Sequence, residues 1–127
     1  RSGKRLLWRD GDNMDFPKRG EIWFVSLEPV VGHEIGKTRP ALVISNDRNN
    51  LFAGTVTVLP ITSKTEKIYP FEVFLPSKET HLPKDSKVKC NQIRTIDKKR
   101  LINFVSALFP KKLEKVEKAL LIHLDVN

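Results

Sequence analysis

The stretch GKTRPALVISND, residues 36–47, decides how the rest of the chain can fold. A polar, glycine-bearing loop gives way at Pro40 to an apolar run rich in β-favouring residues, which predicts a strand over residues 40–46. Proline is tolerated at the first residue of a strand, where its missing N–H is not needed. Arg39 therefore stands at a loop-to-strand junction. An arginine there serves as a surface charge, a buried ion-pair partner or a phosphate clamp.

On both sides of this stretch, the sequence predicts short strands separated by polar loops. Val56 and Val58 share one side of an alternating run, and Val88, Cys90 and Gln92 share one face of a later run. The predicted strands cover residues 20–27, 40–46, 55–61, 71–75, 86–96 and 103–108. The predicted loops cover residues 28–39, 62–70 and 76–85, with a turn or single helical turn over residues 47–54.

From Pro110 the apolar period changes from that of a strand to that of a helix. Proline suits the first turn of a helix, and lysines alternate with glutamates on the other side. The apolar stripe at helical spacing comprises Leu113, Val116, Leu120, Leu121 and Leu124. We therefore expect a mainly β fold, in which five to seven short strands curl into a small barrel with one C-terminal α-helix packed at its end.

The length of 127 residues suits one domain and is short for two. Residues 1–13, RSGKRLLWRDGDN, are more polar and charged than the rest. They are interpreted as a flexible leader or tag before the only methionine, Met14, with a single domain over residues 14–127. The one cysteine, Cys90, cannot form an internal disulfide, which favours a reduced, cytoplasmic location. No apolar run approaches the roughly 20 residues that a membrane span requires, so no membrane association is expected.

The net charge and the motifs limit which partners and which kinds of active site are expected. A formal net charge of +8 suits a polyanionic partner such as nucleic acid, an anionic membrane or an acidic protein, and it serves solubility equally well. His33, His81 and His123 are far apart and form no metal-binding pattern. The chain has no G-x-S-x-G motif and no glycine-rich phosphate loop. We therefore expect neither a metal nor a cofactor.

Two loops gather the remaining reactive side chains, and both adjoin apolar strands, so they are expected to meet at one rim of the barrel. The first loop holds His33, Glu34, Lys37 and Arg39, and the second begins with Thr62, Ser63 and Lys64. RNA carries its own nucleophile, a 2′-hydroxyl that can attack the adjacent phosphate without a metal. An arginine fork matches phosphoryl oxygens in geometry and charge, and a hydroxyl adds a hydrogen bond to them. A carboxylate such as Glu34 can accept a proton or hold the arginine in place.

Spacing alone favours plainer interpretations of the same side chains. Arg39 and Glu34 would form an exposed ion pair, which is worth about 1 kcal/mol or less. Thr62 would cap the end of its strand, and the histidines would be ordinary surface or helix residues.

Four stretches in a fixed order favour function instead: RGEIWFVSLEPVVGHEIGKTRPALVISND (19–47), VTVLPITSK (56–64), YPFEVFL (69–75) and QIRTIDKKRL (92–101). From about Lys18 to Asp125 the chain resembles the MazF/PemK-type ribonuclease toxins of bacterial toxin–antitoxin modules. The resemblance implies an SH3-like barrel of the CcdB/PemK (MazF) type, usually a homodimer. It also implies sequence-specific, metal-independent cleavage of single-stranded RNA, mostly messenger RNA, by attack of the 2′-hydroxyl. The implied products carry a 2′,3′-cyclic phosphate and a 5′-hydroxyl.

The resemblance further implies roles for individual residues. The family's catalytic arginine, in its G-x-x-RP stretch, falls on Arg39, and its catalytic threonine, at the end of P-I-T, falls on Thr62. The loop glutamate, which transfers a proton in some members, falls on Glu34. His33 stands where serine is common, which bears on base preference or pH dependence. By position, the residues expected to contact RNA are His33, Lys37, Ser63, Lys64, Gln92 and Arg94.

The implied partners are single-stranded RNA, a second copy of the chain, and a cognate antitoxin whose acidic, partly disordered C-terminal segment wraps the toxin. Two alternatives stay open. A CcdB-like protein would poison a topoisomerase through C-terminal residues and leave RNA intact. A non-catalytic barrel would bind RNA in a salt-sensitive way without cutting it. The RP and P-I-T signatures favour the nuclease.

Overall fold

The computed structural model describes residues 16–126, so the predictions for residues 1–13 and Met14 lie outside the described residues. The strands are β1 (Glu21–Ser26), β2 (Thr38–Val43), β3 (Thr55–Thr62), β4 (Glu72–Leu75), β5 (Ser86–Lys89), β6 (Arg94–Asp97) and β7 (Leu101–Ala107). The α-helices are α1 (Asp47–Phe52), α2 (Ser77–Thr80) and α3 (Pro110–Leu124). In this part of the chain, no helix combines the length and the apolar character needed to cross a membrane.

The strands form one antiparallel sheet in the order β4-β5-β3-β2-β1-β7, with β6 also paired to β3. The predicted mainly β fold with a C-terminal α-helix is confirmed. The strand order ends at β4 and β7, so the sheet is open rather than closed into a barrel. β5 and β6 share one edge of β3, where β5 pairs with Ile61 and Thr62 and β6 pairs with residues 55–58.

Two apolar clusters lie on opposite faces of this sheet, because side chains alternate along each strand. On β3, Leu59 and Ile61 belong to the cluster that α3 covers, whereas Val56 and Val58 belong to the cluster on the other face. All four side chains are fully buried. The predicted alternation of β3 is confirmed, and burying each such side chain stabilises the fold by about 1.5–3 kcal/mol.

Helix α3 begins at Pro110, as predicted, because the first turn of a helix does not need that backbone N–H. Val116 and Ala119 are the buried residues on its sheet-facing side. The predicted stripe is wrong for Leu121 and Leu124, which are 41% and 48% exposed. Leu121 is five residues after Val116 and is therefore turned about 140° away from the line of contact.

The predicted strand over residues 86–96 is wrong as one element. A 3-10 turn at Cys90–Gln92 separates β5 from β6. Val88 and Cys90 share the buried face as predicted, but Gln92 does not, because it lies in the turn. The turn arises because β5 and β6 pair with β3 in different registers.

Three strand and loop boundaries also differ from the predictions. β2 begins at Thr38, so Pro40 is its third residue rather than its first, because Thr38 and Arg39 already pair with β1. β3 runs through Thr62, which was predicted to open the following loop. Helix α2 lies within residues 76–85, predicted as loop, and its four residues are too few to show helical periodicity.

Candidate active site

Arg39 and Thr62 lie at the adjoining ends of two paired strands, β2 and β3. The last pair of this antiparallel ladder is Ala41 opposite Pro60. If the same register continued for two residues beyond this pair, Arg39 would lie opposite Thr62, with both side chains on the face that Ala41 and Pro60 share. Two residues distant in sequence thus reach one end of two neighbouring strands.

The guanidinium of Arg39 is half-buried and fixed along one edge. Its Nε donates a hydrogen bond to the carbonyl oxygen of Gly36 at 2.7 Å. Among residues 16–126, its terminal nitrogens have no hydrogen-bond or ion-pair partner. The Arg39–Glu34 ion pair that spacing favours is thus not formed within the described residues. The outer edge of the fork is left available for an anion.

The Gly36–Lys37 peptide unit holds Arg39 on one side and the carboxylate of Glu28 on the other. The N–H of Lys37 donates to Glu28 Oε2 at 2.7 Å, while the carbonyl of Gly36 accepts from Arg39. Lys37 has a φ of 68°, which places this backbone in the left-handed region. A Cβ atom at Gly36 would lie 2.6 Å from Glu28 Oε2, so any other residue here would displace that carboxylate from its position beside Lys37. The spacing of the G-x-x-RP stretch therefore has a local structural cause.

Glu34 and His33 lie at the exposed tip of the same loop. Glu34 Oε1 accepts a hydrogen bond from the N–H of Val31 at 2.7 Å, and the N–H of Glu34 donates to the Val31 carbonyl at 3.2 Å. These two bonds close a turn that includes Gly32, whose φ is 58°. One carboxylate oxygen thus holds the turn, while Oε2 has no partner in the described part of the chain.

Three side chains from the β5–β7 region fasten the loop to the sheet. Gln92 Oε1 accepts from the N–H of Ile35 at 3.3 Å, and Arg94 donates to the carbonyl of Leu27 at 3.0 Å. Arg100 donates to the carbonyls of Ser26, at 3.2 Å, and of Glu28. Gln92 and Arg94, expected to contact RNA, therefore hold backbone of the loop that carries Glu34. Sequence reasoning missed Arg100, because nothing in DKKRL distinguishes it from a surface charge.

Thr62 is only 6% exposed and ends β3. Its Oγ1 accepts a hydrogen bond from the N–H of Lys64 at 3.2 Å, which caps the turn as the plainer interpretation of this threonine required. The bond uses an oxygen lone pair and leaves the hydroxyl proton free to be donated. Ser63 and Lys64 follow as exposed residues of the next loop.

A buried charge cluster next to Thr62 was missed in the sequence. Lys87 lies opposite Thr62, and its Nζ donates to Glu72 Oε1 at 2.8 Å and to the Lys67 carbonyl at 2.7 Å. Lys89 binds the second oxygen of Glu72 at 3.1 Å. Burial alone raises the pKa of Glu72, but hydrogen bonds from Lys87, the Tyr69 N–H and Lys89 outweigh it and hold the pKa below its ordinary value. Two ammonium groups share one carboxylate, so the cluster carries a net positive charge.

The structure gives little support for a thiol nucleophile or a metal site. Cys90 is fully buried, and this burial raises the pKa of its thiol to about 12, with a smaller contribution from the charge of Glu72. A thiol in that state is not a nucleophile at neutral pH. Within residues 16–126, no three histidine, cysteine, aspartate or glutamate side chains are grouped so that they could hold a metal ion.

Known proteins share both the sequence pattern and this fold. A family model described as "PemK-like, MazF-like toxin of type II toxin-antitoxin system" matches residues 18–124. The chain is 42% identical over 114 residues to endoribonuclease MazF9 of Mycobacterium tuberculosis (strain ATCC 25618 / H37Rv), covering 86% of this chain and 97% of that protein. It is 43% identical over 108 residues to endoribonuclease EndoA of Bacillus subtilis (strain 168), covering 84% of this chain and 93% of EndoA.

Solved structures agree with the sequence relatives. The crystal structure of MazF (Form-I) from Deinococcus radiodurans matches with a TM-score of 0.76 and 31% identity, covering 87% of this chain and 98% of that one. A MazE–MazF structure (Form-II) from the same organism matches with a TM-score of 0.71 and 29% identity, covering 87% and 97%. This protein belongs to the PemK-like, MazF-like toxin family of type II toxin–antitoxin systems.

Proposed function

We propose that this protein is the endoribonuclease toxin of a toxin–antitoxin system and cleaves single-stranded RNA, mostly messenger RNA, in a sequence-specific, metal-independent reaction between Arg39 and Thr62. The observation that carries the proposal is the half-buried guanidinium of Arg39, held through Nε and with terminal nitrogens that have no partner among residues 16–126, at the end of β2 that adjoins the Thr62 end of β3. The relatives named endoribonuclease, at 42% and 43% identity over most of the chain, support RNA as the substrate.

The reaction is attack by the 2′-oxygen of RNA on the adjacent phosphorus. The O2′–P bond forms as the P–O5′ bond breaks, the 2′-hydroxyl gives up its proton, and the leaving 5′-oxygen takes up a proton. The terminal nitrogens of Arg39 donate to the phosphoryl oxygens, whose negative charge grows in the transition state. The Thr62 hydroxyl donates its proton to the same oxygens in a hydrogen bond. The products carry a 2′,3′-cyclic phosphate and a 5′-hydroxyl.

Glu34 is the proposed proton acceptor, since Oε1 of its carboxylate holds the loop turn while Oε2 has no partner among the described residues. The exposed residues around the two strand ends are the proposed RNA contacts, namely His33, Lys37, Ser63 and Lys64. Gln92 and Arg94 are proposed RNA contacts as well. They also affect cleavage indirectly, because their hydrogen bonds hold the backbone of the loop that carries Glu34. The buried cluster of Lys87, Lys89 and Glu72 adds positive charge beside Thr62, which favours a bound phosphate.

The test is cleavage of a long mixed-sequence transcript in the presence of EDTA, with mapping of the 5′ ends produced. We expect the wild type to cut and Arg39→Ala to lose about 100-fold or more in rate, because a donor to the transition-state oxygens is removed. Arg39→Lys should also be poor, since a lysine cannot present the planar fork. The matched control is Arg48→Ala, an exposed arginine on α1.

Three outcomes would contradict this assignment. Intact RNA with folded wild-type protein would argue for a non-catalytic binder or a topoisomerase poison. Loss of cutting in EDTA that added metal restores would reject the metal-independent reaction. Equal activity of Arg39→Ala and wild type would show that Arg39 is not part of the active site.

The proposed partners follow from charge and exposed apolar surface. A net charge of +8 suits the acidic, partly disordered segment of a cognate antitoxin as well as RNA, and one structural relative is a MazE–MazF structure. A homodimer is proposed through the face of β7 on which Ile102 and Phe104 are 55% and 50% exposed. Large exposed apolar side chains side by side mark an association surface. The proposed location is the cytoplasm, where the unpaired Cys90 stays reduced.

A further inference from the structure

A groove with a volume of about 500 Å³ runs between β4 and α3, away from Arg39. Its β4 side consists of the consecutive residues Glu72, Val73 and Phe74. Neighbouring residues of a strand point to opposite faces, so three in a row line a groove only where it follows the edge of the strand. β4 ends the sheet order, and this edge has no neighbouring strand among the described elements.

The backbone groups along that edge can be assigned from the ladder. The Cys90 N–H donates to the Phe71 carbonyl at 3.3 Å, so Phe71 directs its backbone groups toward β5. Direction alternates along an antiparallel strand, which turns Glu72 and Phe74 toward the free edge. The Glu72 N–H is already bonded to the Tyr69 carbonyl at 2.8 Å. The Glu72 carbonyl and both backbone groups of Phe74 therefore face the groove side without a strand partner.

The α3 side of the groove is basic above an apolar floor. Lys112, Lys115 and Lys118 line it together with the apolar residues Ala119 and Ile122. Residues three apart on a helix follow each other by about 4.5 Å along its axis and are offset by about 60° around it, so the three lysines succeed one another along the groove. Lys112 pairs with Glu79 at 3.4 Å, whereas Lys115 and Lys118 are exposed and unpaired within residues 16–126.

The one carboxylate in the groove wall does not repel an acidic ligand. The side chain of Glu72 has no exposed surface and is bonded to Lys87 and Lys89. The charge that faces the groove is therefore that of the helix lysines.

We propose that this groove docks an extended peptide segment, with alternating acidic and apolar residues, as an added strand on β4. Backbone groups of the peptide pair with Phe74, its apolar side chains fill the floor, and its carboxylates meet Lys115 and Lys118. The free strand edge and the apolar floor favour a peptide over RNA, whose sugar-phosphate backbone lacks the amide groups that pair in a sheet. The docking surface stands independently of RNA cleavage, whereas identifying the segment with an antitoxin rests on the proposed function.

The test uses a short fluorescein-labelled peptide in which glutamate and valine alternate, titrated with the whole protein and followed by fluorescence anisotropy. We expect saturable binding that the double variant Lys115→Glu, Lys118→Glu weakens about tenfold or more, since removing about 1.4 kcal/mol of attraction lowers affinity tenfold. The matched control is Lys99→Glu with Lys111→Glu, two exposed lysines outside the groove, which should bind as wild type does.

A second pair of peptides tests strand addition. N-methyl groups on every other amide remove donors from one edge only, so one methylated set should abolish binding and the alternate set should leave it intact. Equal loss of binding with both methylated peptides, or unchanged binding by the Lys115→Glu, Lys118→Glu variant, would overturn the proposal. So would a shift of the protein between monomer and dimer caused by the lysine reversals, because a second copy would then occupy the groove.

RNA cleavage without peptide serves as the separate readout. The groove variant should cut RNA at the wild-type rate, because the groove lysines take no part in the proposed chemistry. Loss of RNA binding with the lysine reversals would assign the groove to nucleic acid and reject the peptide. A wild-type protein that binds the peptide but never cuts RNA would reject the proposed function and leave the docking surface standing.

Discussion

At the residue scale, the planar peptide unit between Gly36 and Lys37 connects the carboxylate of Glu28 to the guanidinium of Arg39. The N–H of Lys37 and the carbonyl of Gly36 belong to the same rigid plane and point in opposite directions. The carboxylate of Glu28 holds one end of that plane, and Arg39 Nε binds the other. Any rotation of the plane therefore moves the guanidinium away from its place beside Thr62.

From this arrangement we predict that Glu28→Ala lowers kcat by about tenfold to 100-fold, because misplacing a catalytic group by about 1 Å has effects of that size. Glu28→Gln should keep most of the activity, since an amide oxygen also accepts a hydrogen bond from Lys37. Steady-state cleavage of a fluorogenic RNA would separate kcat from KM. If Glu28→Gln proved as inactive as Glu28→Ala, the negative charge rather than the hydrogen bond would be required.

The residues of the site were predictable to an uneven degree. Arg39 and Thr62 stand out in the sequence because Arg39 directly precedes one apolar run and Thr62 directly follows another, and the antiparallel pairing of β2 and β3 puts these two strand ends side by side. The roles of Gln92 and Arg94 toward the loop backbone were not predictable, because they depend on contacts with Ile35 and Leu27, far away in sequence. A side chain that binds a distant backbone group leaves no local pattern.

At the element scale, β4 and β5 are joined by the ion cluster of Glu72, Lys87 and Lys89 as well as by their ladder. We predict that Glu72→Gln destabilises the fold by about 3 kcal/mol at neutral pH, because it leaves a nearly buried ammonium without its counter-charge. Urea unfolding against an exposed control, Glu114→Gln, would measure the difference.

The sign of the pH dependence follows from the lowered pKa of Glu72. Because the folded pKa lies below the unfolded one, the carboxylate stabilises the fold at pH values above its unfolded pKa, and this contribution is lost as pH falls through the folded pKa. The stability gap between wild type and Glu72→Gln should therefore narrow on acidification. A gap that stayed constant down to strongly acidic pH would show that Glu72 ionisation is not involved.

The break between β5 and β6 shows where the alternation of apolar residues fails to predict the limits of a strand. Alternation continued through Cys90 and predicted one strand, but three steps along β3, from Ile61 to Val58, correspond to six steps from Val88 to Arg94. The extra residues form the 3-10 turn. Helix α3, by contrast, was predictable because its period and Pro110 are local signals.

At the scale of the whole molecule, the sheet formed by the described residues ends at β4 and β7, and β7 exposes the large apolar side chains of Ile102 and Phe104. Phe104 packs edge-on against Trp23 with ring centroids 6.0 Å apart and is still half exposed. We predict that the wild type sediments as a dimer and that Ile102→Glu shifts it toward monomer, because burying a charge in an apolar interface is unfavourable. Phe52→Glu, at an exposed aromatic on α1, is the control. Monomeric wild type, or a dimer insensitive to Ile102→Glu, would reject this face.

The cross-strand row that starts at Thr62 has a further consequence. Lys87 lies opposite Thr62 on one side and opposite Phe74 on the other, so the backbone of Phe74 in β4 is two strand spacings, about 10 Å, from that of Thr62. A segment that left the groove across this row would meet bound RNA. The two occupants would then be thermodynamically coupled, and each would weaken the affinity of the other by the same factor.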